Sequence, residues 1–223
     1  LLREGAADLI MLGRPLVTDA AWGVKAVSGR EADIRYCVSC NTCWGAIVGG
    51  STLACDNNPR VGSDNEVDWQ PERTTTPKKI AIVGAGPAGM EAAWIAAARG
   101  HEVTVFGAST DVGGKTRLHA ALPGGESLSS VYDYQRLRAD KVGVRFVLGA
   151  RARAADVLAV SPDAVVLASG STPAWPAWLP DEYRDAEWFP DVRTVAARLL
   201  GRRTREEGVA VLGPSRSTER PET

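Results

Sequence analysis

All four cysteines of this 223-residue chain fall between positions 37 and 55, as Cys37-Val38-Ser39-Cys40-Asn41-Thr42-Cys43 and then Cys55-Asp56. Thiols at two-residue gaps on a tight loop are badly placed to pair with one another, because a disulfide demands a narrow Cα separation and inward-turned Cβ vectors. Thiolates at the same spacing can instead converge on one inorganic centre. A structural zinc also takes four thiolates, but it usually draws them from two separated C-x-x-C pairs. C-x-x-C-x-x-C with a later cysteine is the arrangement found around a cubane cluster, so the segment reads as an iron–sulfur site, with zinc as the competing assignment.

The N-terminus has none of the charged, apolar and small-residue regions of a secretory signal, and reduced thiols then point to the cytoplasm. A formal net charge of -1 gives no general attraction to nucleic acid or to an anionic membrane. The basic knot Arg202-Arg203-Thr204-Arg205 is offset by Glu206-Glu207 and reads as a solvated helix end. No apolar run approaches the length that spans a bilayer. The chain starts Leu1-Leu2-Arg3 and stops in a polar tail after an apolar run, and both ends read as cuts through larger units.

The second organising feature is Lys78-Lys79-Ile80-Ala81-Ile82-Val83-Gly84-Ala85-Gly86-Pro87-Ala88-Gly89. A short uninterrupted apolar run suits a strand buried on both faces of a parallel sheet. The glycines complete G-x-G-x-x-G. Gly84 permits the tight turn, Gly86 lets backbone approach a pyrophosphate, and Gly89 packs helix against strand. Pro87 fits the first helical turn, Ala88 follows it, and the pyrophosphate is expected on the helix N-terminus. Met90, Ala93, Trp94 and Ala97 form one buried stripe and Gly100 ends the helix. Glu102 to Phe106 then reads as the next strand, so dinucleotide binding is favoured over a plain glycine-rich turn. The acidic residue expected to bind ribose hydroxyls is replaced by Gly107, with only Ser109, Thr110 or Asp111 nearby as substitutes. Gly113-Gly114 reads equally as a close approach to the ligand or as a flexible turn.

The remaining segments are placed around these two. Residues 6–12 read as a strand, closed by Gly13-Arg14-Pro15, with Thr18 or Asp19 capping a helix that ends near Gly29. This is half of a β/α unit, in which Gly13 and Arg14 are candidates for holding a phosphate. Residues 63–77 are polar and read as a linker. A helix from Ser127 to Val142, carrying Val131, Tyr134 and Leu137, and strands at 144–148 and 164–168 continue the nucleotide fold. His101 and His119 stand apart from any nucleophile and read as structural. Trp175, Trp178 and Trp188 read as loop residues anchoring on the domain surface. Val209 to Gly213 reads as the opening strand of a second nucleotide-binding unit.

The order of these motifs resembles the old yellow enzyme-like flavoproteins with a C-terminal extension: trimethylamine dehydrogenase, histamine dehydrogenase and 2,4-dienoyl-CoA reductase. The resemblance implies an α/β chain comprising the end of a TIM barrel (1–30), a [4Fe-4S] segment (31–62), a linker (63–77), a Rossmann-like FAD/NAD(P)-binding domain (78–200) and the start of a second nucleotide-binding unit (201–223). It further implies FMN phosphate at Gly13 and Arg14, and cluster ligation by Cys37, Cys40, Cys43 and Cys55, with the short gap between Cys40 and Cys43 nearer the amine dehydrogenases. FAD or ADP is implied at Gly84, Gly86 and Gly89, and NAD(P)H is a further candidate. Ala168-Ser169-Gly170 resembles the Ala-Thr-Gly turn of such domains. The implied activity is oxidoreduction of a small-molecule substrate whose pocket lies in barrel strands this sequence lacks, so no catalytic residue is assigned. A non-catalytic remnant and a zinc-stabilised nucleotide-binding module are the alternatives. A second copy of the chain or an electron-transfer flavoprotein is the implied protein partner.

Overall fold

The computed structural model describes residues 2, 4–171, 174–184 and 186–203. By contact the chain divides into two compact units, Leu1–Thr172 and Pro173–Thr223.

The first unit opens with two short helices, α1 (Arg14–Thr18) and α2 (Trp22–Val27), followed by α3 (Thr42–Val48) in the cysteine segment. The nucleotide fold follows as β1 (Lys79–Val83), α4 (Pro87–Ala98), β2 (Glu102–Gly107), α5 (Gly114–Ala120), α6 (Ser129–Lys141), β3 (Arg145–Leu148), α7 (Ala154–Leu158) and β4 (Ala164–Leu167). The strands form one parallel sheet in the order β3-β2-β1-β4. Lys79 lies opposite Glu102, Val83 opposite Leu167, and Gly107 opposite Leu148. Sequence order reverses across β1, and a ligand crevice opens at such a switch point.

Side chains alternate across the sheet, so each face requires its own cover. Ile82, Val103 and Val105 pack with Met90, Ala93 and Trp94 of α4 and Ala139 of α6. On the opposite face Ala81 and Phe106 pack with Val157 of α7. Of the stripe that the sequence spacing gives α4, Met90 and Ala93 are fully buried and Trp94 is 2% exposed, while Ala97 is half-buried. In α6 the buried residues are Gln135 and Ala139, while Val131, Tyr134 and Leu137 are half-buried. Gln135 is recruited because its amide donates to Pro87 O (3.0 Å) and Glu91 Oε2 (2.9 Å) across the α4–α6 contact.

Residues 6–12 form no strand. A strand needs a ladder partner, and no described segment pairs with this run, which leaves Leu9 88% and Met11 96% exposed. The helix expected between Thr18 or Asp19 and Gly29 is α2, with Ala21 at its N-cap, while the Gly13-Arg14-Pro15 turn leads into the additional short helix α1. The Asp19 carboxylate lies between them, accepting from Ala21 N (3.1 Å), Arg35 N (2.9 Å) and Lys25 Nζ (2.7 Å).

The polar stretch 63–77 is held against α4. Trp69 meets Trp94 edge-on (6.1 Å), the Arg60 guanidinium covers Trp69 at 4.1 Å, and Arg138 donates to Gln70 at 2.6 Å. His101 has a structural role, with Nδ1 accepting from Lys78 N (3.0 Å). No described helix is long and apolar enough to cross a membrane.

The second unit has α8 (Val192–Arg203), which ends in the basic knot that the sequence reads as a helix end. Asp191 Oδ1 caps it, accepting from Arg193 N (2.7 Å) and Thr194 N (3.0 Å), and the bond from Thr194 chiefly holds this carboxyl below its usual pKa. Trp175, Tyr183, Trp188 and Phe189 pack on one another within this unit, with centroids 5.1–6.0 Å apart. Trp178 is 79% exposed. Arg202 and Arg203 end α8, while the strand expected at 209–213 lies outside the described residues.

One contact tying the cysteine segment to α6 is sensitive to pH. Burial of Asp33 by itself favours the neutral acid, but the hydrogen bond and charge of Lys141 outweigh it and hold the carboxyl below its ordinary 3.8. A carboxylate whose folded pKa is depressed stabilises the fold above the unfolded value, and that contribution disappears as pH falls through the folded value. Asp33→Asn should therefore lower the urea midpoint near neutrality, and the gap from wild type should shrink as pH drops below about 3.8. An equal gap at about pH 3 and about pH 7 would remove the charge from this account.

Candidate functional site

Two sites are assembled in the first unit. The first joins Gly13 and Arg14 to the cysteine loop, although 27 positions separate Arg14 from Asn41. Arg14 Nη1 donates to Asn41 Oδ1 (2.5 Å), and Gly13, Arg14, Val17, Asn41, Cys43, Trp44 and Ile47 line a cleft of about 560 Å³. Gly13 also supplies the carbonyl that accepts from Leu16 N (3.0 Å) at the start of α1.

The cysteine loop folds back tightly. Ser39 (φ 57°) and Asn41 (φ 62°) both sit in the left-handed region, which is uncommon for residues with a side chain. Such a turn directs backbone N–H groups inward, and Ser39 N donates to Cys37 Sγ at 3.4 Å. Thr18 Oγ1 lies 3.7 Å from Cys55 Sγ, bringing the last cysteine to the end of α1. All four cysteines are free thiols, Cys40 exposed and Cys37, Cys43 and Cys55 half-buried. Among the described residues no three His, Cys, Asp or Glu side chains gather closely enough to hold a single metal ion. The donor set fits an iron–sulfur cluster in its chemistry: four thiols, no histidine, and the Ser39 N–H donated to the Cys37 sulfur.

This loop is fastened to the nucleotide fold at both ends. Arg35 donates to Asn57 O (2.5 Å), on the far side of Cys55, and to Glu91 Oε1 of α4 (2.9 Å), with Tyr134 of α6 stacked 4.2 Å from its guanidinium carbon. Asn57 Nδ2 and Ser130 Oγ both donate to Tyr36 O, and Ser127 Oγ donates to Val38 O. Sequence reasoning missed Arg35, and no local signal could have flagged it, because its role comes from its contacts with Asn57, Glu91 and Tyr134.

The second site is the crevice at the C-terminal ends of β1, β2 and β4. Gly84 (φ 121°) is in a conformation that disfavours side chains, and a Cβ there would lie 2.1 Å from Ala168 O. Thus the Ala168-Ser169-Gly170 turn after β4 seats directly on the glycine loop, with Ala168 N donating to Val83 O (2.8 Å). A Cβ on Gly89 would lie 1.9 Å from Gly84 O, whereas one on Gly86 would meet nothing within 4 Å. The loop is therefore closed against protein at Gly84 and Gly89 and open at Gly86, beside the first amides of α4. Pro87 and Ala88 form the first turn of α4.

Gly113-Gly114 forms a packed turn at the crevice. Gly113 N donates to Ala85 O (2.8 Å), a Cβ on Gly114 would lie 3.0 Å from Gly86 Cα, and both residues have positive φ. Gly113 also lies under the Tyr132 ring, whose hydroxyl pKa is raised by burial and by Asp133. Gly114 begins α5, and Lys115 from this helix donates to Ser171 O and Oγ beyond β4.

Comparison with known proteins agrees with this geometry. The family described as Pyridine nucleotide-disulphide oxidoreductase matches residues 50–157 and 78–214. An NADH oxidase of Thermoanaerobacter brockii is 36% identical over 178 residues, 79% of this chain and 27% of that protein. Among solved structures, histamine dehydrogenase from Rhizobium sp. 4-9 aligns with a TM-score of 0.71 and 31% identity, covering 77% of this chain and 25% of that one. A 2-naphthoyl-CoA reductase aligns with a TM-score of 0.73 and 33% identity over 79% of this chain and 27% of that one. The chain spans about a quarter of the length of these relatives. Parallel sheet, glycine crevice and sequence likeness agree: the chain belongs to the pyridine nucleotide-disulphide oxidoreductase family, in the old yellow enzyme-like group that includes histamine dehydrogenase.

Proposed function

We propose that this chain is the cluster-and-nucleotide portion of an iron–sulfur flavoprotein oxidoreductase. It carries electrons between an FMN, a [4Fe-4S] cluster on Cys37, Cys40, Cys43 and Cys55, and an adenine nucleotide (FAD, ADP or NAD(P)H) on the crevice of Gly84, Gly86 and Gly89. The observation that carries this reading is the cleft shared by Gly13, Arg14 and Cys43. A flavin phosphate held by the Arg14 guanidinium would lie next to the thiols, and short separation is what electron transfer requires. The cluster would supply one-electron storage when bound. The chain's own residues do the rest. Asn41 orients Arg14, Ser39 N–H lowers electron density at the Cys37 sulfur, and Arg35 and Ser127 hold the loop to the nucleotide fold.

The substrate is a small molecule recognised in the part of the relatives' length that this chain does not span. Nothing in the charge balance favours a nucleic-acid partner.

Anaerobic purification should give a brown protein with about four iron atoms and four acid-labile sulfides per chain, with a visible band that bleaches on dithionite. Cys40→Ala, at the exposed thiol, should reduce that content at least by half while leaving the far-UV spectrum unchanged. A colourless protein with one equivalent of zinc and no iron would overturn the reading in favour of a zinc-stabilised module.

A further inference from the structure

The crevice departs from others of its type at the end of β2. An adenine nucleotide whose pyrophosphate crosses Gly86 sets its ribose over this strand end, where an acidic side chain ordinarily accepts from the 2′-hydroxyl. Here the residue is Gly107, buried and paired in register with Leu148 of β3. A Cβ at Gly107 would lie 2.6 Å from Leu148 Cδ2 and 3.0 Å from Ala85 Cβ. Leu148 and Ala85 therefore occupy the space from which a carboxylate would emerge, and a side chain there would need Leu148 to swing aside and Ala85 to give by a few tenths of an ångström.

On the rim beyond, the charges of Asp111, Arg117 and Lys115 are already engaged. Ala108, Ser109, Thr110 and Asp111 are exposed, and Gly149 N donates to Ser109 O (2.9 Å), tying the loop to the end of β3. Asp111 is engaged by Arg117 of α5 (2.8 Å), so one cation and one anion offset each other. Lys115, the other cation of that turn, hydrogen-bonds Ser171.

A carboxylate at this place does two things at once. It accepts a charge-assisted hydrogen bond from a free 2′-hydroxyl, and it repels a 2′-phosphate. Without it, both sources of discrimination disappear. We propose that the crevice binds adenosine diphosphates with a free or a phosphorylated 2′-hydroxyl about equally, because Leu148 and Ala85 fill the place of the ribose-reading acid at Gly107. This rests on the nucleotide-binding reading above and specifies its ligand class. Affinity comes from the pyrophosphate on Gly86 and the α4 amides, and from enclosure by Gly113-Gly114. The 2′ position faces hydroxyls and a neutralised ion pair.

The test is calorimetric titration of the full chain with two ligand pairs: ADP against 2′-deoxy-ADP, and ADP-ribose against its 2′-phosphate. Affinities within about threefold in each pair are expected, since a lost charge-assisted hydrogen bond would cost about tenfold or more. A preference of about tenfold or more in either direction, for the free hydroxyl or for the phosphate, overturns the proposal, because some group must then read that position. If none of the four ligands binds, the nucleotide reading itself fails and the proposal with it. Gly107→Glu combined with Leu148→Ala restores the acid and clears its space, and it should introduce a preference for ADP-ribose over the 2′-phosphate of about tenfold. Equal affinity in that folded variant would show that the strand end does not face the ribose, and would overturn the proposal even if the wild-type panel is flat.

Discussion

Replacing Arg35 with alanine should destabilise the first unit by about 3–5 kcal/mol, the range seen when one partner of a buried ion pair is removed and the other left behind. Arg35 and Glu91 side chains are 9% and 18% exposed, so water does little to replace the lost partner. Asn57 O loses a donor as well, and Tyr134 loses its stacked cation. Glu91 keeps the hydrogen bond from Gln135, which places the expected cost toward the lower end. The effect should extend beyond stability. Arg35 bridges a residue just past Cys55 to α4, so cutting the bridge frees one end of the thiol loop from the nucleotide fold. Iron retention after dialysis against a chelator should fall in Arg35→Ala and in Glu91→Ala alike. The double variant should cost less than the two singles added, by roughly 1–3 kcal/mol of coupling. Strict additivity in urea midpoints, with unchanged iron retention, would mean that the two side chains do not fasten the loop.

Gly84→Ala is expected to be among the most damaging single methyls in the nucleotide fold. Its φ of 121° lies where side chains are strained, by about 1–3 kcal/mol. The added carbon would also lie 2.1 Å from the carbonyl oxygen of Ala168, a backbone atom that no rotamer change can move. Relief requires β1 and the turn after β4 to separate, which opens the crevice at its switch point. Adenine-nucleotide binding should drop below detection while the melting temperature falls by several degrees. Gly86→Ala is the matched control. Its Cβ meets no protein atom within 4 Å, so the fold should keep its stability while ligand affinity falls. Equal stability losses at the two glycines would mean that packing against Ala168 is not what requires Gly84.

The sequence carried the nucleotide fold because its signals are local. An apolar run, glycines at fixed offsets, proline at the first helical turn and the stripe of Met90, Ala93 and Trp94 together specify strand, turn and helix without reference to anything distant. It failed where the outcome depends on a neighbour. Residues 6–12 have the composition of a strand and lack a described ladder partner. Helix α5 was invisible behind Gly113-Gly114, and the burial of Gln135 in place of Leu137 follows from a carbonyl and a carboxylate offered by α4.

The candidate sites divide in the same way. Cysteine count and spacing, and the glycine fingerprint, were legible as chemistry because thiol and glycine have few other reasons to recur at those intervals. That Arg14 reaches Asn41, that Arg35 ties the thiol loop to Glu91, and that Leu148 takes the room of an absent acid are facts of long-range contact. The sequence by itself determined which backbone could turn and which atoms could ligate. Only the tertiary structure decided which of those groups meet, because a contact between residues 27 or 56 positions apart is settled by how helices and sheet pack, and no local preference encodes it.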